Sequence, residues 1–255
     1  MYQKILLIAR VPLLGVLFVF MVGCEFLNDS LRSEPAADAG FINHPEDMTS
    51  DNKRFPFDRV WCEKHGCDWS KYSSIIVTKV DTSHVLKMSW WDNFNLEPKS
   101  TLQEERHVIA NYLQETFKSS IRTDVTAHHE VVDEPTGRTM ILEMALVELV
   151  PTKAIMRAAV DFIGYLIPGV STLGLTGSGS VAIEGRIRDA ETGHVIFKFA
   201  DRQQDKTAAV SVEDFTWHGH AREIIDDWAV EFVELYDTPP SHMVRVASRF
   251  TLKPW

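Results

Sequence analysis

An apolar run that stops at a cysteine constrains everything after it. From Val11 to Val22 every residue except Pro12 and Gly15 is strongly apolar, Lys4 and Arg10 come before, and no acid precedes Glu25. A run of about a dozen residues falls short of the ~20 that a membrane-spanning helix takes. Extending it back to Ile5 would place Arg10 inside the hydrocarbon. A positive start followed by a short apolar core is the build of a secretory signal, so residues 1–23 are expected to be removed and the rest to fold outside the cytoplasm. What remains is ordinary globular sequence: the 255-residue chain is 45% hydrophobic and 24% charged. With 36 acidic and 26 basic residues its formal charge is -10, which argues against nonspecific nucleic-acid binding, since that requires basic surface.

The tetrad Met21-Val22-Gly23-Cys24 resembles the bacterial lipobox, with Met21 where leucine is usual. In that motif the Cys24 thiol takes a diacylglycerol and Cys24 becomes the mature N terminus; several acyl chains together hold a protein stably to a bilayer. The alternatives are an uncleaved anchor or an ordinary signal with a buried cysteine. Glu25 follows, and by resemblance to enterobacterial lipoproteins a residue other than aspartate there favours the outer membrane. The expected localisation is therefore lipid-anchored and facing the periplasm.

The chain has three cysteines. With Cys24 lipidated, Cys62 and Cys67 remain as a pair separated by Glu63-Lys64-His65-Gly66, a spacer short enough to turn back into disulfide range. So small a loop restricts the unfolded chain by ~2 kcal/mol. A zinc site of Cys62, His65 and Cys67 is the alternative, but it lacks a fourth ligand, and no metal or cofactor is expected.

Residues 24–54 read as a lipidated terminus and flexible tether, and 55–255 as one globular domain. Ser73–Asp81 is expected as a short buried strand, Val85–Trp91 as a second extended piece. A helix from Ser100 or Thr101 to Ile121 opens on a capping box, Thr101 with Glu104. Leu102, Val108, Ile109, Leu113 and Phe117 form its apolar face. Glu130–Asp133 and Arg138–Val150 are strands joined by the turn Pro135-Thr136-Gly137. Val181, Ile183, Gly185 and Ile187 alternate with Ala182, Glu184, Arg186 and Arg188, a strand with one wet face. Asp189–Gly193 turns it into Val195–Ala200. A second helix, Thr216–Tyr236, carries Ala221, Ile224, Ile225, Trp228, Phe232 and Leu235 on one stripe, and Val244, Val246, Phe250 and Leu252 suggest a final edge strand. The expected fold is α+β: a two-layer sandwich with a mostly antiparallel sheet of five or six strands and two long helices on one face.

Residues 154–180 fit this scheme least. Ala154–Ile167 is apolar nearly all round, broken by Arg157 and Asp161, and a glycine-rich stretch follows. It is either a covering excursion between two strands or an exposed element whose Ile155, Phe162, Tyr165, Leu166 and Ile167 touch membrane or an envelope partner.

Several features resemble the uncharacterised proteobacterial lipoprotein family known as domain of unknown function 3313. They are the lipobox, Gly40-Phe41-Ile42, Trp61 followed by Asp68 and Tyr72, the strand Ile75-Ile76-Val77 with Val80-Asp81, Gly177–Ser180, Ile183–Asp189, Thr192-Gly193 and Asp227-Trp228-Ala229. Together they run from about residue 40 to 236, and their order carries the resemblance. The Cys62/Cys67 loop departs from the family pattern. The resemblance implies an envelope lipoprotein and assigns no activity.

No catalytic motif is complete. Gly169-Val170-Ser171-Thr172-Leu173 lacks the closing glycine of a nucleophile elbow, and Gly174–Ser180 lacks a phosphate-loop lysine. His129-Glu130 starts like a zinc-protease motif but has Asp133 at the second histidine position. Asp226 and Asp227 are adjacent on a helix and point apart. His218 and His220 flank Gly219 and are the residues an envelope hydrolase would use. Trp61, Trp69, Trp90 and Trp91 cluster in sequence, as core-edge packing or as a glycan- or peptide-stacking groove. The function expected is a non-catalytic accessory or binding module of the envelope. An oligomer inserting 154–180 into the membrane and a hydrolase are the alternatives.

Overall fold

The structure, a computed structural model, describes residues 35–50, 55–63, 69–85, 99–124, 129–150, 180–204, 219–238 and 244. Its strands are β1 (Arg59–Cys62), β2 (Ser74–Val77), β3 (Glu130–Val131), β4 (Thr139–Val150), β5 (Ser180–Asp189) and β6 (Val195–Gln204). Its helices are α1 (Lys99–Thr123) and α2 (Gly219–Asp237). The fold is α+β, a six-stranded sheet in the order β1-β6-β5-β4-β2-β3 together with two helices.

The sheet is mixed, where a mostly antiparallel one was expected. The pairs β1–β6, β6–β5 and β5–β4 are antiparallel, but β2 pairs in parallel with both β3 and β4. The cause lies in the order of elements. α1 stands between β2 and β3, and a helical crossover returns the chain to the same end of the sheet, so the next strand enters parallel.

Three long strands account for the centre. β4 and β5 pair from Met140↔Asp189 to Val150↔Ser180, with a register irregularity between Leu146 and Glu148. The β5–β6 turn follows its expected chemistry. Gly193 adopts φ +71, a conformation glycine reaches without steric penalty. Asp189 Oδ1 accepts hydrogen bonds from the backbone N–H of Glu191 (3.0 Å) and Thr192 (2.9 Å) and from the Thr192 hydroxyl (3.0 Å). Those bonds, the Thr192 N–H foremost, hold the Asp189 carboxyl below its usual range, and Tyr72 adds a hydroxyl donor at 3.1 Å.

One face of the sheet shares a buried cluster with residues of both helices. Met140, Leu142, Met144, Leu146, Val181, Ile183, Ile187, Phe197 and Phe199 join Ile109, Leu113, Phe117 and Ile121 of α1 and the whole expected stripe of α2 in one buried cluster. Phe199 contacts Phe232 at 6.1 Å and Phe117 contacts Phe232 at 5.4 Å between ring centroids. Gly185 belongs to this face because Phe199, its cross-strand partner, lies where a side chain would go: a Cβ there would come 2.2 Å from the ring. Val108, expected on the buried face of α1, is instead 40% exposed. It precedes Ile109 by one residue, about 100° around the helix, and that turns it out of the cluster.

Candidate functional site

The opposite face of the sheet is not open to water as the alternation in β5 predicted. Ala182 and Glu184 are fully buried, because residues 35–50, assigned from sequence to a flexible tether, lie against them. Ala36, Ala39 and Phe41 pack on Ala145, Val147 and Ala182, and Ile42 is 4% exposed. We call this segment the strap.

Cross-strand register explains how the face receives it. Ala145, Glu184, Ala200 and Arg59 stand directly opposite one another across β4, β5, β6 and β1. Alanines on both sides of Glu184 leave its carboxylate room to reach upward. One row over stand Glu143, Arg186, Lys198 and Trp61.

These side chains grip the strap mainly by its backbone. Glu184 accepts N–H bonds from Ala39 (2.9 Å), Phe41 (3.2 Å) and Ile42 (3.1 Å). Gly40, at φ +83, bends the chain so that those donors converge on one carboxylate, as backbone N–H groups do around an anion. Arg186 donates to Phe41 O (3.3 Å) and stacks over the Phe41 ring (4.8 Å) while its Nε donates to Glu143 (2.7 Å). Arg188 donates to the other oxygen of Glu143 (2.9 Å). Lys198 Nζ donates to Asn43 O (2.7 Å) and lies 4.9 Å over the Trp61 ring. His84 Nδ1 donates to Ala39 O (3.0 Å), and the ring meets Phe41 edge-on at 5.6 Å. Beneath His84, Ser83 hydrogen bonds hold the Asp81 carboxyl low; His84 Nε2 is 3.7 Å away. Arg59 pairs with Asp38. The strap then adds one ladder contact to β1, with Thr49 N–H donating to Val60 O (2.8 Å) and Val60 N–H to Thr49 O (3.0 Å).

A small cleft opens where the strap enters, lined by Pro35, Ala36, Asp58, Arg59, Glu184 and Asp201 among others. Its carboxylates are committed. Asp201 accepts from Asp58 N–H (2.9 Å), Gln203 Nε2 (3.1 Å) and Trp228 Nε1 (2.5 Å), which ties β6 to α2, and Asp58 accepts from Arg202 N–H (3.1 Å). Further along, Glu148 accepts from Arg202 Nε (2.8 Å) and from the Ser180 hydroxyl. Among the described residues no group of three His, Cys, Asp or Glu is placed to hold a metal ion, and no helix is long and apolar enough to cross a membrane. The arrangement holds the bent backbone of the strap against the sheet.

The residues singled out from sequence are scattered relative to this face. Cys62 ends β1, partly buried against the main core; Cys67 lies outside the described residues, as do Cys24, Ile155, Phe162, Tyr165, Leu166, Ile167, Ser171 and His218. His220 sits in the first turn of α2 with Nδ1 3.9 Å from Glu223. His129 is buried, its Nε2 3.1 Å from Trp69 O, and Asp226 receives the Tyr112 hydroxyl at 2.8 Å. Trp69 is in the core, edge-on to Phe197, so it shares no groove with Trp61; Trp90 and Trp91 are outside the described residues. Val85 and Val244 are described, whereas the extended pieces expected to run on from them are not. Sequence reasoning missed the strap. The isolated pair Phe41-Ile42 behind Gly40 was its signal, in a stretch otherwise polar.

The chain belongs to the family described as "Protein of unknown function (DUF3313)", which matches residues 40–232. The match begins at Gly40, inside the strap. No curated protein matches. Among solved structures it is similar to the PelC dodecamer from Paraburkholderia phytofirmans, with 6% identity and a TM-score of 0.35 over 66% of this chain and 90% of that one. It is also similar to the hypothetical protein CT253 from Chlamydia trachomatis, with 11% identity and a TM-score of 0.35 over 65% of this chain and 98% of that one.

Proposed function

We propose that this member of the family is a lipid-anchored, periplasm-facing envelope lipoprotein, held at the outer membrane through a lipid on Cys24 and acting as a non-catalytic accessory or binding module. The observation that carries this reading is the short apolar run closing on Met21-Val22-Gly23-Cys24. The strap supports it. Residues 24–34, fully extended, reach at most ~35–40 Å, so an anchor at Cys24 would keep the strap-bearing side of the body near the bilayer. The shared core cluster supports the view that both helices form one layer over the other side. A Cys62–Cys67 bridge, closing the loop that leaves β1, fits an oxidising compartment.

The excursion 154–180 is the element we assign to membrane or envelope-partner contact. Val150 and Ser180 are paired across β4 and β5, so the excursion leaves and returns at one end of the sheet, as an inserted element would. In the oligomeric version of this reading, deleting 154–180 dissolves the assembly, and sizing in detergent reads it.

Metabolic labelling with an alkyne palmitate tests the anchor. Label is expected on the wild-type chain and none on Cys24→Ser. An unlabelled wild type, or equal labelling of both, overturns the reading.

A further inference from the structure

The polar hold on the strap is directed mainly at its main chain, and this governs what else the face can hold. Glu184 reads three N–H groups, and Arg186, Lys198 and His84 read the carbonyls of Phe41, Asn43 and Ala39. Among the described residues, the strap side chains met most directly by charge or ring contacts are Asp38, by Arg59, and Phe41, between Arg186 and His84. A surface that reads backbone tolerates many sequences, and pockets for a few side chains supply the preference. The apolar part of the hold is smaller than on the helix side, formed by Ala145, Val147 and Ala182 on the sheet and by the buried Ile42 of the strap. Among the described residues, the strap joins the strands through the bridge of Thr49 to Val60 and no further ladder. Segments with few buried apolar contacts open at free energies well below that of global unfolding.

We infer that the strap-bearing sheet face is a peptide-binding groove in which the strap is a displaceable resident, and that its partner is a protein segment carrying an acid three residues before an aromatic, with a flexible residue between them at which the backbone bends as it does at Gly40. The strap's Asp38-Ala39-Gly40-Phe41 is the template for that chemistry. The acid pairs with Arg59, the aromatic enters between Arg186 and His84, and the intervening backbone turns its N–H groups onto Glu184. With the strap displaced, Glu184 and Lys198 meet either water or the incoming backbone, so exchange replaces one set of hydrogen bonds by another of the same kind. This deepens the binding-module reading but does not depend on the lipid: failure of palmitate labelling would leave the groove in place.

The test uses the full chain in detergent and a fluorescein-labelled peptide of residues 35–48, with binding read by anisotropy. Gly40→Val unfastens the resident strap, because a β-branched residue does not tolerate φ +83, and leaves every groove residue intact. The Gly40→Val chain is expected to bind the peptide at least tenfold more tightly than wild type. Adding Glu184→Gln to that chain should weaken binding at least tenfold, and a peptide with Phe41→Ala should bind as weakly. Equal binding by wild type and Gly40→Val, no binding by either, or binding insensitive to Glu184→Gln overturns the inference. Should near-UV circular dichroism show that Gly40→Val has lost its fold, Phe41→Ala in the chain serves the same purpose with the same outcomes.

Discussion

The two faces of this sheet are buried by opposite means. Against the helices, burial is made of aromatic and aliphatic side chains interlocked across α1, α2 and five strands, the non-directional term that dominates folding. Against the strap, burial is made of alanines, one valine and charged side chains that direct their hydrogen bonds to a passing backbone. Hydrogen bonds to charged groups contribute about 1.5–3 kcal/mol each net, about as much as a large buried side chain, but each can be exchanged for a bond to water or to another backbone, which apolar burial cannot. One sheet thus carries a face covered by interlocked apolar side chains and a face whose polar groups are aimed at backbone.

Breaking the helix-side face should give the largest loss. Trp228→Ala empties a fully buried site and removes the donor to Asp201; about 3–5 kcal/mol should vanish from the urea unfolding free energy. Gly185→Ala sets a methyl against the Phe199 ring and should lose about 1–3 kcal/mol. Much of that loss should be absent when Phe199→Leu is already in place, a coupling that a double-mutant cycle measures. On the strap side, Phe41→Ala should lower global stability by only about 1 kcal/mol or less, the ordinary effect of a partly exposed site. Val108→Thr and Val230→Thr, at the exposed apolar positions of the helices, should leave the unfolding free energy within about 0.5 kcal/mol of wild type.

The β5–β6 turn adds a pH signature. Because the Thr192 N–H and its neighbours depress the Asp189 carboxyl in the folded chain, Asp189 stabilises above the unfolded carboxyl value near 4 and loses that contribution as pH falls through its lower folded value. Wild type should therefore be more stable than Asp189→Asn at pH 7, and the gap should close in titrations carried well below pH 4.

How much of this was legible depended on the range over which each element is specified. The α2 stripe from Ala221 to Leu235 and the long antiparallel strands with their Asp189–Gly193 turn were legible because periodicity and turn chemistry are local. The parallel pairing of β2 was decided by the helix that leaves it, and β1, only Arg59–Cys62, was too short to show a period. The strap escaped because its recognition lies some 140 residues away in sequence: Glu184 looked like the polar side of an amphipathic strand until the backbone of Ala39–Ile42 closed over it. Cys24 and the 154–180 stretch, the strongest sequence signals for function, are the basis of the proposed anchor and contact, while the strap-bearing face is written in cross-strand neighbours that no linear motif displays.

Amide hydrogen exchange read residue by residue tests the contrast between the faces most directly. The N–H groups of Ala39, Phe41 and Ile42 should exchange through local opening, at least a hundredfold faster than those of Leu142–Leu146 and Val181–Ile187, and Glu184→Gln should accelerate the strap while leaving the strands unchanged. Strap and strand amides exchanging together at one rate, in the wild type and in Glu184→Gln alike, would contradict the account.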